Sequence, residues 1–301
     1  MKNSADSSGN NFISLGGRSI SLGSAWESAR FDLDGRRILR ESFLNAKPFP
    51  HLVIEDIFNP ELLELIHDEF SQVRPQAWRH SKSDNESTHR SMRDAIVTPG
   101  AEFYFTIIYS RAFLRFLTDI TGIGGLIPDP ELIGGGMHES RTGDWFNVHV
   151  DFAKHPTTFL SNEIVLLTYL NRDWRDEYGG SLELWDRESR SCVKTITPSF
   201  GRTVILKHSK ASLHGHTKPI CAPDGRPRRS VAAYYYGQHD KVVVSDEAEL
   251  ASIFLTPRKT MLSQVKGFVR AISPPIFVQG FKRMRRMMNL NKDWNSSANP
   301  L

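Results

Sequence analysis

The spacing of apolar residues predicts helices in the first part of the chain. AKPFPHLVIEDIF (46–58) has the pattern of an extended approach that continues into a strand. Asn59 and Pro60 then supply an N-cap and a first-turn proline for a helix in ELLELIHDEFSQV. After a polar segment, helical periodicity resumes over 101–121 and ends at Gly122. The predicted buried face of the first helix consists of Leu62, Leu63, Ile66 and Phe70.

From about residue 131 to 237 the pattern changes to short β-branched and aromatic runs separated by glycine, proline and aspartate. The runs are FNVHV, EIVLLTYL, SLELWD, VKTITP, RTVILK and SVAAYYYG. Many short strands of this kind indicate an antiparallel barrel or sandwich. Because the helices precede the strands instead of alternating with them, the sequence predicts an α+β fold in which helices buttress one sheet.

The two ends of the chain differ from this central part. Residues 1–24 are rich in serine, glycine and asparagine, which predicts a flexible tail. One domain is expected over 25–245, with its core at about 131–240. Residues 246–301 form a predicted basic helical extension. Its apolar residues Phe277, Phe281, Met284 and Met288 lie opposite the basic residues Lys282, Arg283, Arg285 and Arg286.

The basic helix has more than one interpretation. It could bind an anionic membrane surface or an acidic partner through its charged face. It could equally pack on the body of the protein and leave that face in solvent. The sequence does not separate these alternatives.

Composition narrows the class of protein. With 301 residues, 39% of them hydrophobic, the chain is long enough for a globular body with a large core. The only cysteines are Cys192 and Cys221, which argues against a disulfide framework and favours a reducing compartment. The polar N-terminus lacks the apolar run of a signal peptide, so the expected location is the cytoplasm. The formal net charge of +4 is too small to indicate nucleic-acid binding.

A candidate metal site consists of His149, Asp151 and the later histidine His214 in SLHGH. Residues two apart on a strand face the same side, so the imidazole of His149 and the carboxylate of Asp151 can reach one ion. Two imidazoles and a carboxylate leave one side of the ion open, which suits iron(II) that must bind an organic chelator and dioxygen. Zinc is the alternative, because the same donors also build hydrolytic sites.

Arg228 and Ser230 favour the iron interpretation. Strand alternation directs both side chains to one face, where a guanidinium and a hydroxyl can hold a carboxylate. 2-Oxoglutarate has a distal carboxylate to be held in this way while its keto acid end chelates iron. A zinc hydrolase has no use for such a second anchor.

The same stretches of sequence resemble a known family. GGGMHESRTGDWFNVHVD, LLTYLNRDW, EYGGSLELWD, SLHGH and RRSVAAYYYG are similar to the catalytic core of the prolyl 4-hydroxylase-like branch of the iron(II)/2-oxoglutarate oxygenases. The resemblance implies a double-stranded β-helix, a distorted jelly roll, with the metal in its mouth. In this chain the jelly roll would be buttressed by the N-terminal helices and followed by the helical C-terminal extension.

The resemblance also implies roles for individual residues. His149, Asp151 and His214 take the Fe(2+) positions, and His214 is favoured over the competing His216 and His208 because Gly215 follows it as in the family pattern. The remaining implied residues bind 2-oxoglutarate: Arg228 and Ser230 anchor the distal carboxylate, and Tyr169 hydrogen-bonds the same cosubstrate.

One residue departs from the family pattern. A tyrosine that hypoxia-sensing members carry upstream of the His-x-Asp motif has no clear match near Glu139. The cosubstrate pocket is therefore lined differently in this chain, and His138 is the candidate for that place.

The expected activity is hydroxylation of an unactivated C–H bond, driven by dioxygen and 2-oxoglutarate with release of succinate and carbon dioxide. Ascorbate is the expected reductant. A prolyl residue or an amino-acid-like compound is the candidate prime substrate by family association only. Two alternatives remain at this point: a zinc-dependent hydrolase that uses the same three residues, and a catalytically silent barrel that serves as a binding module.

Overall fold

The computed structural model describes residues 12–21, 26, 32–92, 98–238 and 247–255. All of them belong to one compact unit that ends at Leu255. Residues 256–301 lie outside the described residues, and so does the basic helix that the sequence predicts there. Within the part of the chain that the structure describes, helices are too short or too polar to cross a membrane.

In the described part of the chain, four α-helices precede most of the strands. They are α1 (Leu33–Asn45), α2 (Pro60–Glu69), α3 (Pro99–Ile108) and α4 (Arg111–Thr121). The predicted cap of α2 is confirmed, because the Asn59 side chain accepts hydrogen bonds from the backbone N–H groups of Glu61 and Leu62. Gly122 ends α4 in the left-handed conformation, as predicted.

Two features of the helices differ from the prediction. The single helix expected over 101–121 is two helices, α3 and α4. Ser110 is the N-cap of α4, because its hydroxyl accepts a hydrogen bond from the backbone N–H of Phe113. Helix α1 was not predicted, since its sequence LDGRRILRESFLN is mostly polar and only Phe43 is buried.

The strands carry the rest of the fold. In chain order they are β1 (Phe12–Leu15), β2 (Arg18–Ser21), β3 (His51–Ile54), β4 (Trp78–Lys82), β5 (Glu86–Ser91), β6 (Ile127–Pro128), β7 (Gly136–Ser140), β8 (Trp145–Val150), β9 (Ser161–Tyr169), β10 (Leu182–Asp186), β11 (Ser191–Ile196), β12 (Thr203–Lys207), β13 (Leu213–His216), β14 (Arg228–Gly237) and β15 (Ile253–Phe254).

Strands β1 and β2 form a hairpin of their own, and the other described strands form one curled antiparallel sheet with two layers. One layer has the order β7-β14-β9-β12-β3 and the other has the order β8-β13-β10-β11. Strand β5 joins the layers by pairing with both β7 and β8. In both layers, strands from the first half of the core (β7–β10) alternate with strands from its second half (β11–β14). This order is the jelly roll of a double-stranded β-helix, and the predicted α+β fold class is confirmed.

The helices cover the outer face of the first layer. Side chains of alternate residues on β14, among them Val231, Ala233 and Tyr235, share one apolar core with Phe58 and Phe113. A second core between the layers includes Val165, Val204, Leu184 and Tyr234. The helices therefore pack on the outer face of the layer that contains β14, and the inner face of that layer lines the site.

Two predicted boundaries need correction. The flexible tail expected up to residue 24 contains the β1–β2 hairpin, whose Ile20 is fully buried and whose Arg18 pairs with Glu64 of α2 at 3.1 Å. The domain end expected at residue 245 is too early, because β15 pairs with β8 and places Phe254 opposite His149. In both places a short apolar run completes the body.

Candidate active site

The inner face of the jelly roll brings three predicted metal ligands together. His149 on β8 lies directly opposite His214 on β13, and Asp151 follows the end of β8. The Nε2 atom of His149 lies 3.3 Å from Asp151 Oδ1, and the Nε2 atom of His214 lies 3.6 Å from Asp151 Oδ2. All three residues are buried. The cross-strand pair of His149 and His214 therefore brings together the three side chains that the sequence predicted as metal ligands.

Backbone contacts orient both imidazoles. His149 Nδ1 lies 2.8 Å from the carbonyl oxygen of Asn147, and His214 Nδ1 lies 2.9 Å from that of Ser212. A carbonyl only accepts hydrogen bonds, so each Nδ1 carries the proton and each Nε2 presents a lone pair to the shared centre. Phe146 stacks on the His149 ring at 3.9 Å between centroids and fixes its plane.

The electrostatics of this cluster favour a cation. Burial alone would raise the pKa of Asp151, but His214 and His149 outweigh it and hold the pKa well below its usual range. Burial also lowers the pKa of His214 and so favours its neutral form. The buried Oδ2 atom of Asp151 has no hydrogen-bond partner among the described residues. An ionised carboxylate with an unused oxygen beside two imidazole lone pairs fits a divalent metal ion.

Arg228 provides the second polar group of the interior. Its side chain is buried, and its Nε donates to the Gly180 carbonyl oxygen at 2.7 Å. Its Nη2 donates to the Tyr169 hydroxyl at 3.3 Å. Among the described residues, no carboxylate lies within ion-pair distance of this guanidinium. Burial lowers the pKa of Arg228, but a guanidinium still keeps its charge, so the site contains a buried cation held only by neutral groups.

One cross-strand row connects this arginine to the neighbouring strands. Ser230 lies opposite Tyr169 on one side and opposite His138 on the other, and His138 lies opposite Arg90. Opposite residues in an antiparallel sheet face the same side, so the row Tyr169, Ser230, His138 and Arg90 lines the interior. Burial and the nearby Arg90 charge lower the pKa of His138 to about 4, which leaves a neutral imidazole there.

The competing histidines occupy other positions. His208 Nε2 contacts the backbone oxygen of Asp151 at 3.1 Å and is not part of the three-residue cluster. His216 lies opposite Phe146, with its Nε2 3.5 Å from Ser140 Oγ. Burial lowers the pKa of His216 well below its usual value, and the nearby Arg228 charge adds to this effect, so its imidazole is neutral.

Arg229 faces the opposite way from Arg228. Its Nε pairs with Glu139 Oε2 at 3.1 Å, and its guanidinium lies 4.9 Å from the ring centre of Phe70 on α2. Glu139 also accepts from Arg141, so its side chain is used outside the pocket. Strand alternation thus separates two adjacent arginines into an interior one and an exterior one.

Sequence reasoning missed several residues that shape the site. Phe254 lies 5.6 Å from the His149 ring but belongs to a segment assigned to the extension. Gly180 holds Arg228 through its carbonyl, and its φ of +70° is a backbone conformation that favours glycine. The double glycine at 179–180 was the available signal for this turn.

Comparison with known families agrees with this architecture. Residues 135–236 match the family model described as the 2OG-Fe(II) oxygenase superfamily. The matched segment runs from just before β7 almost to the end of β14 and contains the three candidate metal ligands together with Tyr169, Arg228 and Ser230. The segment that forms the jelly-roll core is therefore similar to the 2OG-Fe(II) oxygenase superfamily over about a third of the chain. The description of that superfamily names 2-oxoglutarate and Fe(II), which the buried cluster of two imidazoles and a carboxylate fits chemically.

Solved structures described as members of this superfamily are similar to the chain at low sequence identity. A 2OG-Fe(II) oxygenase family oxidoreductase from Burkholderia pseudomallei has a TM-score of 0.50 and 12% identity over 67% of this chain and 91% of its own. A Pseudomonas putida prolyl-4-hydroxylase has a TM-score of 0.48 and 12% identity over 67% of this chain and 99% of its own. A Trichoplax adhaerens prolyl hydroxylase, solved with a hypoxia-inducible factor peptide, has a TM-score of 0.48 and 14% identity over 69% of this chain and 91% of its own. No sequence among the curated proteins matches the chain significantly.

Proposed function

We propose that the protein is an iron(II)- and 2-oxoglutarate-dependent hydroxylase in which His149, Asp151 and His214 hold the iron. Arg228 and Ser230 anchor the distal carboxylate of 2-oxoglutarate, and Tyr169 supports that anchor. When bound, the iron and cosubstrate supply the oxidising chemistry, in which dioxygen and 2-oxoglutarate are converted to succinate, carbon dioxide and an oxygen atom for a C–H bond.

The observation that carries this proposal is the buried guanidinium of Arg228 without a carboxylate partner among the described residues. A buried cation is costly unless it is paired, and an anionic ligand removes that cost. The anion 2-oxoglutarate, with one carboxylate at each end, is long enough to join a buried cation to a metal centre. Neither a zinc hydrolase nor a silent binding module requires a buried anion-binding group beside the metal.

The neighbouring side chains are suited to holding a carboxylate. Tyr169 is fully buried, and burial raises the pKa of its hydroxyl, so the phenol stays protonated. Because that oxygen accepts from Arg228 Nη2, its own proton is free to be donated to a carboxylate oxygen. Ser230 faces the same side as Tyr169 and offers a second hydroxyl donor. Together these groups orient the cosubstrate and exclude water from its far end.

The prime substrate is proposed more broadly. The motifs of this chain resemble the prolyl 4-hydroxylase-like branch, which supports a prolyl residue or an amino-acid-like compound. The interior row adds a neutral His138 and the cationic Arg90 toward β5, so the substrate side of the cavity offers a hydrogen-bonding group beside a cation. Arg90 already pairs with Glu86 at 3.6 Å, so only the remaining donors of its guanidinium are open to a substrate carboxylate. Substrates with a carboxylate or a backbone carbonyl near the reacting carbon are therefore the first to test.

The test is turnover of 2-oxoglutarate by the purified chain with ferrous iron and ascorbate, the proposed reductant. We expect slow release of succinate even without a prime substrate, and faster release when a substrate is added. The variants His149→Ala and Asp151→Ala should abolish it, whereas His67→Ala, an exposed histidine on α2, should not. Hydrolytic activity with zinc and no response to 2-oxoglutarate would support the hydrolase alternative. No activity with either metal would support the binding module.

A further inference from the structure

A second cluster of metal-binding residue types lies outside the jelly-roll interior. His80, His89 and Asp144 offer two imidazole nitrogens and a carboxylate oxygen, all within 4.8 Å of one another. None of these residues was singled out by sequence reasoning. They come from β4, from β5 and from the turn between β7 and β8.

The two histidines form a cross-strand pair. His80 and His89 lie directly opposite each other in the β4–β5 hairpin, and their rings stack at 4.1 Å with an angle of 8° between planes. His89 neighbours Arg90, which faces the jelly-roll interior, so strand alternation places the histidine pair on the other face of β5. The cluster is thus separated by the sheet from His149, Asp151 and His214.

The carboxylate is held at the centre of this cluster by several donors. Asp144 is buried, and its Oδ2 accepts from His89 Nδ1 at 3.1 Å and from the backbone N–H of Arg141 at 2.8 Å. Its Oδ1 accepts from the Ser87 hydroxyl at 2.5 Å. Since that hydroxyl gives its proton to Asp144, it accepts one from His80 Nε2 at 3.1 Å. His89 therefore donates directly to the Asp144 carboxylate, and His80 is linked to the same carboxylate through the Ser87 hydroxyl.

The distances between the ligand atoms of this cluster suit a metal ion that replaces the protons of these hydrogen bonds. Zinc bonds to nitrogen and oxygen are about 2.0–2.2 Å long, so a tetrahedral ion separates its ligand atoms by about 3.3 Å. The distance from His89 Nδ1 to Asp144 Oδ2 is 3.1 Å, close to the 3.3 Å from His149 Nε2 to Asp151 Oδ1 in the proposed iron site. His80 is exposed on β4, a strand with only one neighbour, so its ring can shift to complete the set.

We propose that His80, His89 and Asp144 bind a zinc ion at a site distinct from the proposed iron site. Two imidazoles and one carboxylate suit zinc, and the fourth position faces solvent beside His80 and is filled by water.

The position of this site gives it a structural effect. Asp144 directly precedes β8, and β5 pairs with β8 through Glu86 opposite Phe146, the residue that stacks on His149. A zinc ion would therefore tie the β4–β5 hairpin to the turn that leads into β8. Binding of an ion to the folded state alone raises the free energy of unfolding and the melting temperature.

The test measures zinc binding in a chain whose proposed iron site has been removed. The variant His149→Ala/Asp151→Ala, freed of metal with a chelator, is titrated with zinc against a chromophoric chelator of known affinity. We expect one bound equivalent and a rise in melting temperature. Adding His80→Ala or His89→Ala should lower the zinc affinity at least about 100-fold, more than loss of a supporting residue costs, and abolish the rise. Adding His67→Ala should change neither quantity.

Two results would overturn the proposal. One is that the His149→Ala/Asp151→Ala variant, folded by circular dichroism, takes up no zinc in competition with the chelator. The other is that the bound equivalent persists at equal affinity after both His80→Ala and His89→Ala. Neither result bears on 2-oxoglutarate turnover, which the proposed iron site determines separately.

Discussion

Replacing the adjacent residues Arg228 and Arg229 one at a time should produce two different defects. In Arg228→Ala the buried cation that faces the interior is lost. In Arg229→Ala the lost cation is the one that pairs with Glu139 outside the pocket. We expect Arg228→Ala to weaken 2-oxoglutarate binding and Arg229→Ala to lower stability without changing that binding.

The magnitude follows from burial and pairing. Arg228 is 6% exposed, so solvent does little to screen its interaction with a bound carboxylate. Truncating one partner of a buried, hydrogen-bonded charge pair costs about 2–5 kcal/mol. At about 1.4 kcal/mol per tenfold, the apparent KM for 2-oxoglutarate should rise about thirtyfold or more. Arg229 is partly exposed and Glu139 keeps Arg141 as a second partner, so its loss should affect folding only moderately.

The assay measures succinate release against 2-oxoglutarate concentration at saturating iron, with ferrous binding determined separately for each variant. A second readout is the rise in melting temperature on adding 2-oxoglutarate to the metal-loaded chain, which Arg228→Ala should lose and Arg229→Ala should keep. A raised KM in Arg229→Ala together with a normal KM in Arg228→Ala would refute the strand register. Normal KM values in both would refute the anchor.

Other substitutions test separate parts of the site. A Cβ atom at Gly180 would lie 2.7 Å from Arg228 Cδ, so Gly180→Ala should raise the KM for 2-oxoglutarate and leave iron affinity unchanged in equilibrium binding. A Cβ atom at Gly215 would lie 2.8 Å from the Phe146 carbonyl oxygen, so Gly215→Ala should separate β13 from β8 and weaken iron binding about tenfold or more. Tyr169→Phe keeps the ring but removes one hydroxyl donor, and a loss of about 1.5–3 kcal/mol for a charged partner should raise the KM at least about tenfold; an unchanged KM would place the cosubstrate elsewhere. Deleting residues from about 274 should leave 2-oxoglutarate turnover intact, because no proposed site residue lies there, and loss of turnover in a folded truncated chain would contradict this.

Local signals explain which parts of the fold could be predicted. Asn59 and Pro60 mark the start of α2 by capping chemistry, and Gly122 marks the end of α4 by its backbone conformation. Alternation within β14 was enough to separate Arg228 from Arg229. These features depend on neighbours in sequence and therefore appear in the sequence itself.

Long-range pairing explains what could not be predicted. Strand β5 is mostly polar, ESTHRS, and becomes a strand because it completes the sheet between β7 and β8. The cluster of His80, His89 and Asp144 depends on that pairing and on a turn distant in sequence, so the spacing of these residues along the chain does not predict it. The same holds for β15, whose Phe254 reaches the site only by pairing with β8.

The central claim is that one interior site binds 2-oxoglutarate between a metal ion and Arg228. Anaerobic calorimetric titration of 2-oxoglutarate into the chain, with and without ferrous iron, tests it most directly. We expect one equivalent to bind when iron is present, much weaker binding without iron, and loss of the tight binding in either Asp151→Ala or Arg228→Ala. Tight binding that is independent of iron and unchanged in both variants would contradict the account.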